Sequence, residues 1–170
     1  MSRHLEVVLG PGAMGSPGSM KRHVAGLRRR GIAARAIALP RGRAERAAES
    51  FRALASPGVV AGGHSFGGRS ASLAATDATF AGLLLFGFPL AGRGEERTRH
   101  LPLIRCPVLL LQGAADEMSP IEELRRLVAS APQVRLVIYP GAPHGLGAAL
   151  EDALDEAAGF VRKLAARENR

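Results

Sequence analysis

The sequence predicts an α/β protein with a six-stranded, mostly parallel sheet and helices on both of its faces. Six short apolar runs alternate along the chain with segments in which apolar residues recur at helical spacing, the pattern of parallel α/β folds. The runs are almost continuously apolar, as in strands that helices cover on both faces. The length of 170 residues suits one domain. We therefore expect a single domain with a core over residues 5–163 and a basic C-terminal tail.

Local signals place the individual elements. The predicted strands cover Leu5–Leu9, Ala33–Leu39, Gly58–Gly62, Phe80–Phe86, Pro107–Gln112 and Val134–Tyr139. The predicted helices cover Met20–Arg30, Arg43–Ala53, Phe66–Ala75, Pro120–Ser130 and Leu146–Ala166. Ser119 and Pro120 indicate a helix start, because a hydroxyl can cap the first turn and proline fits the first helical position. Gly31 follows a helix, where a residue free to adopt a positive φ is favoured. Residues 91–105 are too few for a lid domain, so we expect an open site.

Composition excludes several classes of protein. The hydrophobic content of 46% is that of a folded globular chain. No apolar run approaches the roughly 20 residues that span a bilayer, and residues 1–8 lack the pattern of a signal peptide. We therefore expect a cytoplasmic protein with no membrane partner. The single cysteine, Cys106, cannot form a disulfide within the chain. No group of His, Cys and acidic residues has metal-ligand spacing, so we expect no metal site.

The chain is strongly basic, with a formal net charge of +8 at pH 7. Its cations are scattered over predicted helix faces, and with no tryptophan and one tyrosine the sequence lacks a platform for stacking bases. We therefore expect a solvated basic surface and no nucleic-acid partner. An anionic partner or substrate is the alternative interpretation of this charge.

The sharpest local signal is Gly63-His64-Ser65-Phe66-Gly67, a G-x-S-x-G sequence between a predicted strand and a predicted helix. In this context the chain turns so tightly that the serine is strained and its Oγ is exposed above the sheet. Glycines two residues away on either side leave room for such a turn. The Phe66 N–H, at the start of the helix, would then point to where an oxyanion develops. The alternative is a glycine-rich turn with an incidental serine.

A serine hydroxyl needs a base to become a nucleophile, and His144 has the right setting. It follows the last predicted strand in a turn-rich segment, at the carboxyl edge of the sheet where ligands bind in open α/β folds. Asp116 follows the preceding strand and would orient the histidine, with Glu117 beside it as the alternative acid. The order Ser65, Asp116, His144 along the chain is that of the α/β-hydrolase triad.

The other four histidines have different predicted places. His4, His23 and His100 are predicted to lie on the surface, at a terminus, on a helix and in a loop respectively. His64 occupies the variable position of the elbow, the name we give to residues 63–67, and is predicted to line the site rather than to act as the base.

Three segments resemble the α/β-hydrolase superfamily: Gly63–Arg69, Leu83–Leu90 and Leu111–Asp116. Within it they are similar to a branch of small hydrolases, the KANL3/Tex30-like proteins near the dienelactone hydrolases, over about residues 5–163. The resemblance implies the α/β-hydrolase fold and a carboxylesterase-like serine hydrolase. Such an enzyme acts on an ester or related acyl bond of a small molecule through an acyl-enzyme and needs no cofactor. The branch elbow usually has arginine and methionine where this chain has His64 and Phe66, and dienelactone hydrolases have cysteine in place of Ser65.

The loop after the first strand differs more from its relatives, which usually carry His-Gly-x-Gly-Gly there to complete the oxyanion hole. This chain has Leu9-Gly10-Pro11-Gly12-Ala13-Met14-Gly15. Proline has no N–H to donate, so the second oxyanion donor is Gly12 or Ala13 or is missing. Losing one donor costs roughly 10²–10³ in rate. Met14 and His64 are the predicted substrate-binding residues.

The same loop spells Gly10-x-Gly12-x-x-Gly15, the fingerprint of a dinucleotide site. Arg41 and Arg43 could then contact the 2′-phosphate of NADP, so an oxidoreductase is one alternative. A proline and a glycine at positions 17 and 18 argue against it, because they interrupt the helix that should seat the pyrophosphate. A non-catalytic interaction protein of the hydrolase fold is the other alternative. The identity of the substrate and the oligomeric state stay open.

Overall fold

The computed structural model describes residues 4–167 and is built on one sheet of six parallel strands. The strands are β1 (Glu6–Gly10), β2 (Ala33–Ala36), β3 (Ser56–His64), β4 (Phe80–Phe86), β5 (Val108–Gly113) and β6 (Val134–Tyr139). The helices are α1 (Lys21–Arg29), α2 (Ala44–Arg52), α3 (Phe66–Ala74), α4 (Gly94–Thr98), α5 (Ile121–Val128) and α6 (Leu150–Arg167). Within this range, no helix is long and apolar enough to cross a membrane.

The predicted fold class is confirmed, and each predicted strand and helix is present with its ends shifted by a few residues. Every pair of neighbouring strands is parallel. The short helix α4 lies in the 91–105 stretch, where the sequence predicted only a connection. Gly31 has a φ of +75° just after α1 ends, as expected of a residue that terminates a helix.

Helices cover both faces of the sheet. Successive side chains of a strand point to opposite faces, so Leu84 packs in one core beneath α1 and α6, whereas Leu85 packs in the other beneath α2, α3 and α5. Both leucines are fully buried. Leu109 and Leu110 of the neighbouring strand divide between the two cores in the same way. This double burial explains why the strand sequences are apolar throughout rather than alternating.

The strand order determines where a ligand can bind. Across the sheet the order is β2-β1-β3-β4-β5-β6. The chain leaves β1 towards one side to form β2 and then returns to the other side to form β3. Such a reversal opens a crevice at the carboxyl ends of β1 and β3, which is where ligands bind in open α/β sheets. Gly10 and Gly63 pair at this end of β1 and β3, directly beneath the elbow.

Ser119 does not cap α5, which corrects the sequence prediction. The helix begins at Ile121 after Pro120, and no side chain caps it. Ser119 is instead fully buried, where its hydroxyl donates to the Phe88 carbonyl oxygen and accepts the Leu90 N–H at 2.9 Å. The buried chain after β4 has backbone groups that need partners, and this serine satisfies two of them instead of serving its own helix.

The prediction of a surface position is also wrong for two histidines, His100 and His23. His100 is only 7% exposed, and its Nε2 lies 2.8 Å from the Ser72 Oγ, which anchors α3 to the segment after α4. His23 is half-buried, with its ring edge-on against Phe86 at a centroid distance of 4.8 Å. Burial is the main reason why the pKa of each ring is lowered from 6.5 to about 4.

Acid should therefore destabilise the protein partly through His100. Its pKa is about 4 when folded and 6.5 when exposed, so between these values the unfolded chain binds a proton that the folded chain does not. The contribution of His100 to the free energy of unfolding is fully present above pH 6.5 and is lost as the pH falls towards 4. The loss from this group is up to about 3 kcal/mol. His100→Gln should flatten that dependence in denaturant unfolding series across the window. The exposed His4→Gln is the control, and equal slopes for both variants would contradict the assignment.

Candidate active site

Ser65 is the single residue between a strand and the helix that follows it. β3 ends at His64 and α3 begins at Phe66, so one residue reverses the chain. Its φ of 51° and ψ of −114° are rare for a residue with a side chain. The turn is held by two backbone bonds, from the Ser65 N–H to the Phe86 carbonyl oxygen and from the Arg69 N–H to the Ser65 carbonyl oxygen, each 2.9 Å. Such strain collects at functional sites, and it is the conformation of a nucleophile elbow.

The glycines of the elbow are required by close contact with β1. A Cβ on Gly63 or on Gly67 would lie 2.1 Å from the Gly10 carbonyl oxygen. Gly63 also has a φ of +155°. Because the obstructing atom belongs to the backbone of a central strand, it cannot move aside as a flexible side chain could. Both glycines therefore allow the first turn of α3 to sit directly against the end of β1.

Asp116 and His144 form a close pair. The His144 Nδ1 lies 2.6 Å from the Asp116 Oδ2, and Asp116 is only 3% exposed. Glu117, the alternative acid, makes no such bond within residues 4–167. A buried carboxylate on Nδ1 leaves Nε2 as the free nitrogen of the ring, which is the tautomer that a general base needs.

Gln112 fixes this aspartate, and the sequence analysis missed it. Its side-chain Nε2 donates to the Asp116 Oδ2 at 2.7 Å, and its Oε1 accepts the Phe88 N–H at 2.9 Å. The other oxygen of the carboxylate, Oδ1, accepts the Met118 N–H at 2.9 Å. Gln112 is fully buried near the end of β5. A polar residue in an otherwise apolar strand was the available signal, because a buried amide must find partners.

Ser65 and His144 approach the same point of the sheet from two sides. Ser65 bonds Phe86, the last residue of β4, and a Cβ on the following Gly87 would lie 2.7 Å from the His144 carbonyl oxygen and 3.4 Å from its Nδ1. Within the described residues the Ser65 Oγ makes no hydrogen bond to His144. Catalytic hydrogen bonds are often long before substrate binds and shorten in the complex. The structure thus places Ser65 and the Asp116–His144 pair beside two consecutive residues, Phe86 and Gly87, and the roles of the three predicted catalytic residues stay a prediction.

His64 lies between the base and the oxyanion loop, by which we mean residues 10–15. Its Nε2 is 3.2 Å from the His144 carbonyl oxygen, and since a carbonyl accepts, this nitrogen must donate. Its Nδ1 lies 3.2 Å from where a Cβ on Gly12 would be. Burial and then the electrostatic effect of His144 lower the pKa of His64, which favours the neutral ring. His64 thus contacts two parts of the candidate site, and its predicted role in lining that site stays a prediction.

The oxyanion loop faces the start of α3. A Cβ on Gly67 would lie 2.6 Å from the Pro11 carbonyl oxygen, so the loop and Phe66 are neighbours. Phe66 is the first residue of α3 and has no intrahelical acceptor for its N–H. Pro11 has no N–H, and within residues 4–167 the N–H groups of Gly12 and Ala13 have no backbone acceptor. Gly12 and Ala13 therefore both stay candidates for the second oxyanion donor, as in the sequence analysis.

The dinucleotide alternative finds no support in the path of the chain. After the oxyanion loop come a 3₁₀ turn at Pro17–Met20 and then α1, which starts only at Lys21. The space beside Gly10 is filled by Leu39, Phe51 and the Gly67 backbone, whose atoms lie 2.7, 3.0 and 3.3 Å from where a Cβ would be. The helix that follows the glycines along the chain therefore does not begin at them, as the helix that seats a pyrophosphate would, and the helix start that meets them is that of α3. Across residues 4–167 there is also no group of three or more His, Cys, Asp or Glu that could hold a metal ion.

A cavity of about 240 Å³ opens beside the elbow. Phe66, the oxyanion loop from Pro11 onward and residues 39–42 line it. Met14, predicted to contact substrate, is 72% exposed at its rim and has a φ of +64°. Met14 thus lines the cavity as a substrate-binding residue would, and its contact with substrate stays a prediction.

Comparison with known proteins agrees with this geometry. A model of the alpha/beta hydrolase domain family matches residues 20–166. The chain belongs to the alpha/beta hydrolase family. No curated protein matches the sequence. The narrower resemblance to the KANL3/Tex30-like branch stays a prediction.

Solved structures of esterases share the hydrolase fold. Esterase 2 of Thermogutta terrifontis, phosphorylated by paraoxon, has a TM-score of 0.79 at 18% identity over 96% of this chain and 84% of that chain. Its propionate-bound structure has a TM-score of 0.78 at the same identity and coverage. Est1E of Butyrivibrio proteoclasticus with ferulic acid has a TM-score of 0.73 at 15% identity over 96% of this chain and 90% of that chain. At such identities the likeness establishes the fold alone.

The glycine contact at the elbow yields a stability test. Gly67→Ala places a methyl group 2.1 Å from the Gly10 carbonyl oxygen, and the forced shift of backbone should cost about 2–3 kcal/mol in denaturant unfolding. Gly159→Ala is the matched control, because α6 has open space at that glycine and alanine should stabilise the helix by up to about 1 kcal/mol. A Gly67→Ala variant as stable as the unsubstituted protein would show that the elbow is not held by this contact.

Proposed function

We propose that the protein is a serine hydrolase that cleaves an ester of a small molecule, with Ser65 as nucleophile, His144 as base and Asp116 as orienting acid. The observation that carries the proposal is a strained serine in a one-residue strand-to-helix turn beside the 2.6 Å pair of Asp116 and His144. In this arrangement His144 has the carboxylate that a general base requires, and the strained serine is bonded to the end of β4, next to the glycine that adjoins His144. The segment Gly63–Arg69 is the basis for proposing, further, the dienelactone-hydrolase-related branch.

The first half-reaction makes an acyl-enzyme. The Nε2 of His144 removes the Ser65 hydroxyl proton as Oγ attacks the ester carbonyl carbon, whose oxygen takes up the electron pair. Asp116 stabilises the imidazolium that forms, and the N–H groups of Phe66 and of Gly12 or Ala13 hold the oxyanion. When the carbonyl re-forms, the bond to the alcohol breaks, and His144 returns its proton to the departing oxygen.

The second half-reaction releases the acid. A water molecule takes the place of the alcohol, and His144 removes its proton as the water oxygen attacks the acyl carbon. Collapse of this second tetrahedral intermediate breaks the bond to Ser65 Oγ, which recovers its proton from His144. No cofactor or redox partner is required, since every proton and electron pair is accounted for by the serine, the histidine, the ester and water.

The size of the cavity favours short acyl groups. At about 240 Å³ it is smaller than the roughly 300–1,000 Å³ of sites for drug-sized ligands. The Thermogutta terrifontis esterase, which shares the fold, has been solved with propionate and with butyrate bound. Short-chain esters such as 4-nitrophenyl butyrate are therefore the first substrates to test.

Substitution of the triad gives a graded prediction for hydrolysis of 4-nitrophenyl butyrate. Ser65→Ala should lower kcat by more than about 10⁴, because it removes the nucleophile. Asp116→Asn should lower kcat by roughly 10⁴, because the amide favours the wrong tautomer of His144. Steady-state kinetics with active-site-independent protein quantification measure both values.

Glu117→Gln is the matched control for the acid. It lies next to Asp116 and removes the same charge, yet Glu117 makes no bond to His144 within the described residues, so kcat should stay within about twofold of the unsubstituted protein. A large loss in Glu117→Gln together with an active Asp116→Asn would contradict the assigned triad.

A further inference from the structure

The cavity beside the elbow carries one charge. Its walls are apolar or glycine-rich, with Pro11, Leu39 and Phe66 among them, and Arg41 is the one ionisable residue in its lining. Within residues 4–167 the Arg41 guanidinium forms no salt bridge with a carboxylate, whereas neighbouring Arg43 lies 4.0 Å from Glu45. The cavity therefore combines an apolar and glycine-rich lining with an exposed cation that no carboxylate of residues 4–167 pairs.

The lining of the cavity connects this cation to the proposed chemistry. Phe66 directly follows the proposed nucleophile and supplies a proposed oxyanion donor, and it lines the same cavity as Arg41, which belongs to the loop after β2. A substrate group that enters this cavity would therefore meet a guanidinium, whose planar fork matches a carboxylate.

We propose that the substrate is an ester that carries a free carboxylate a few bonds from the scissile carbonyl and that Arg41 binds this carboxylate. The inference rests on the proposed hydrolase function and names its substrate class. The carboxylate can belong to the acyl side, as in a half-ester of a short dicarboxylic acid, or to the alcohol side, as in an ester of a hydroxy acid. Arg41 acts on specificity and takes no part in bond making.

The test compares two matched pairs of esters. The acyl-side pair is the 4-nitrophenyl half-ester of glutaric acid and 4-nitrophenyl pentanoate. The alcohol-side pair is the butyrate ester of 3-hydroxypropanoic acid and propyl butyrate. We expect kcat/KM to favour the anionic ester of one pair by about tenfold, the size of one charge-assisted contact at a partly exposed site. Raising the ionic strength should reduce that preference. The responsive pair identifies the side that bears the carboxylate.

Substitutions assign the preference to a residue. Arg41→Gln should bring the ratio of the responsive pair close to one, and Arg41→Glu should invert it. Arg43→Gln, which removes an exposed arginine outside the cavity lining, should leave the ratio as it is. Ser65-dependent turnover with no anionic preference overturns the proposed substrate class and leaves the hydrolase function standing. A preference that persists in Arg41→Gln overturns the assignment of Arg41. Absence of any Ser65-dependent turnover contradicts the hydrolase function, and the substrate class falls with it.

Discussion

The contact between the end of β1 and the elbow is the constraint on which the rest of the site depends. The Gly10 carbonyl oxygen lies where a Cβ on Gly63 or Gly67 would be, so the central strand and the elbow helix meet backbone to backbone. The reversal of the chain between these two glycines falls on Ser65, which has an unusual φ and ψ. The same approach brings the oxyanion loop, which continues from Gly10, against the first turn of α3. One backbone contact thus brings together the proposed nucleophile and the candidate oxyanion donors.

A second layer of contacts extends from this centre towards β5. The buried amide of Gln112 joins the Asp116 carboxylate to the Phe88 backbone, and Ser119 bonds the same stretch of chain after β4. The loops that follow β4 and β5 are therefore tied together beneath His144. Buried hydrogen bonds of this kind are costly to leave unsatisfied, so each loop restrains the other. The pairing also bears on His144, because the Asp116 carboxylate that bonds Gln112 is the one that bonds the histidine.

Much of the fold and site could be predicted because both depend on local patterns: apolar runs of strand length, helical spacing, and polar residues directly after strands. The contacts that could not be predicted are those set by distant neighbours. The role of Gln112 depends on which loop lies beside β5, and the burial of His100 depends on the face of α3 that carries Ser72. Ser119 has the local signature of a helix cap, yet its hydroxyl donates to the Phe88 carbonyl oxygen instead of capping α5. In each case the partner that decides the role of the side chain lies far away in the sequence.

The central claim is that Ser65 is an activated nucleophile, and covalent labelling by a fluorophosphonate tests it most directly. Such a probe reacts with a serine whose proton is removed by a base, losing fluoride as the Oγ–phosphorus bond forms. Peptide mapping by mass spectrometry should find the adduct on Ser65, and Ser65→Ala should abolish it. The account would be contradicted by a protein that gives a cooperative unfolding transition and yet remains unlabelled, or by an adduct on any other residue.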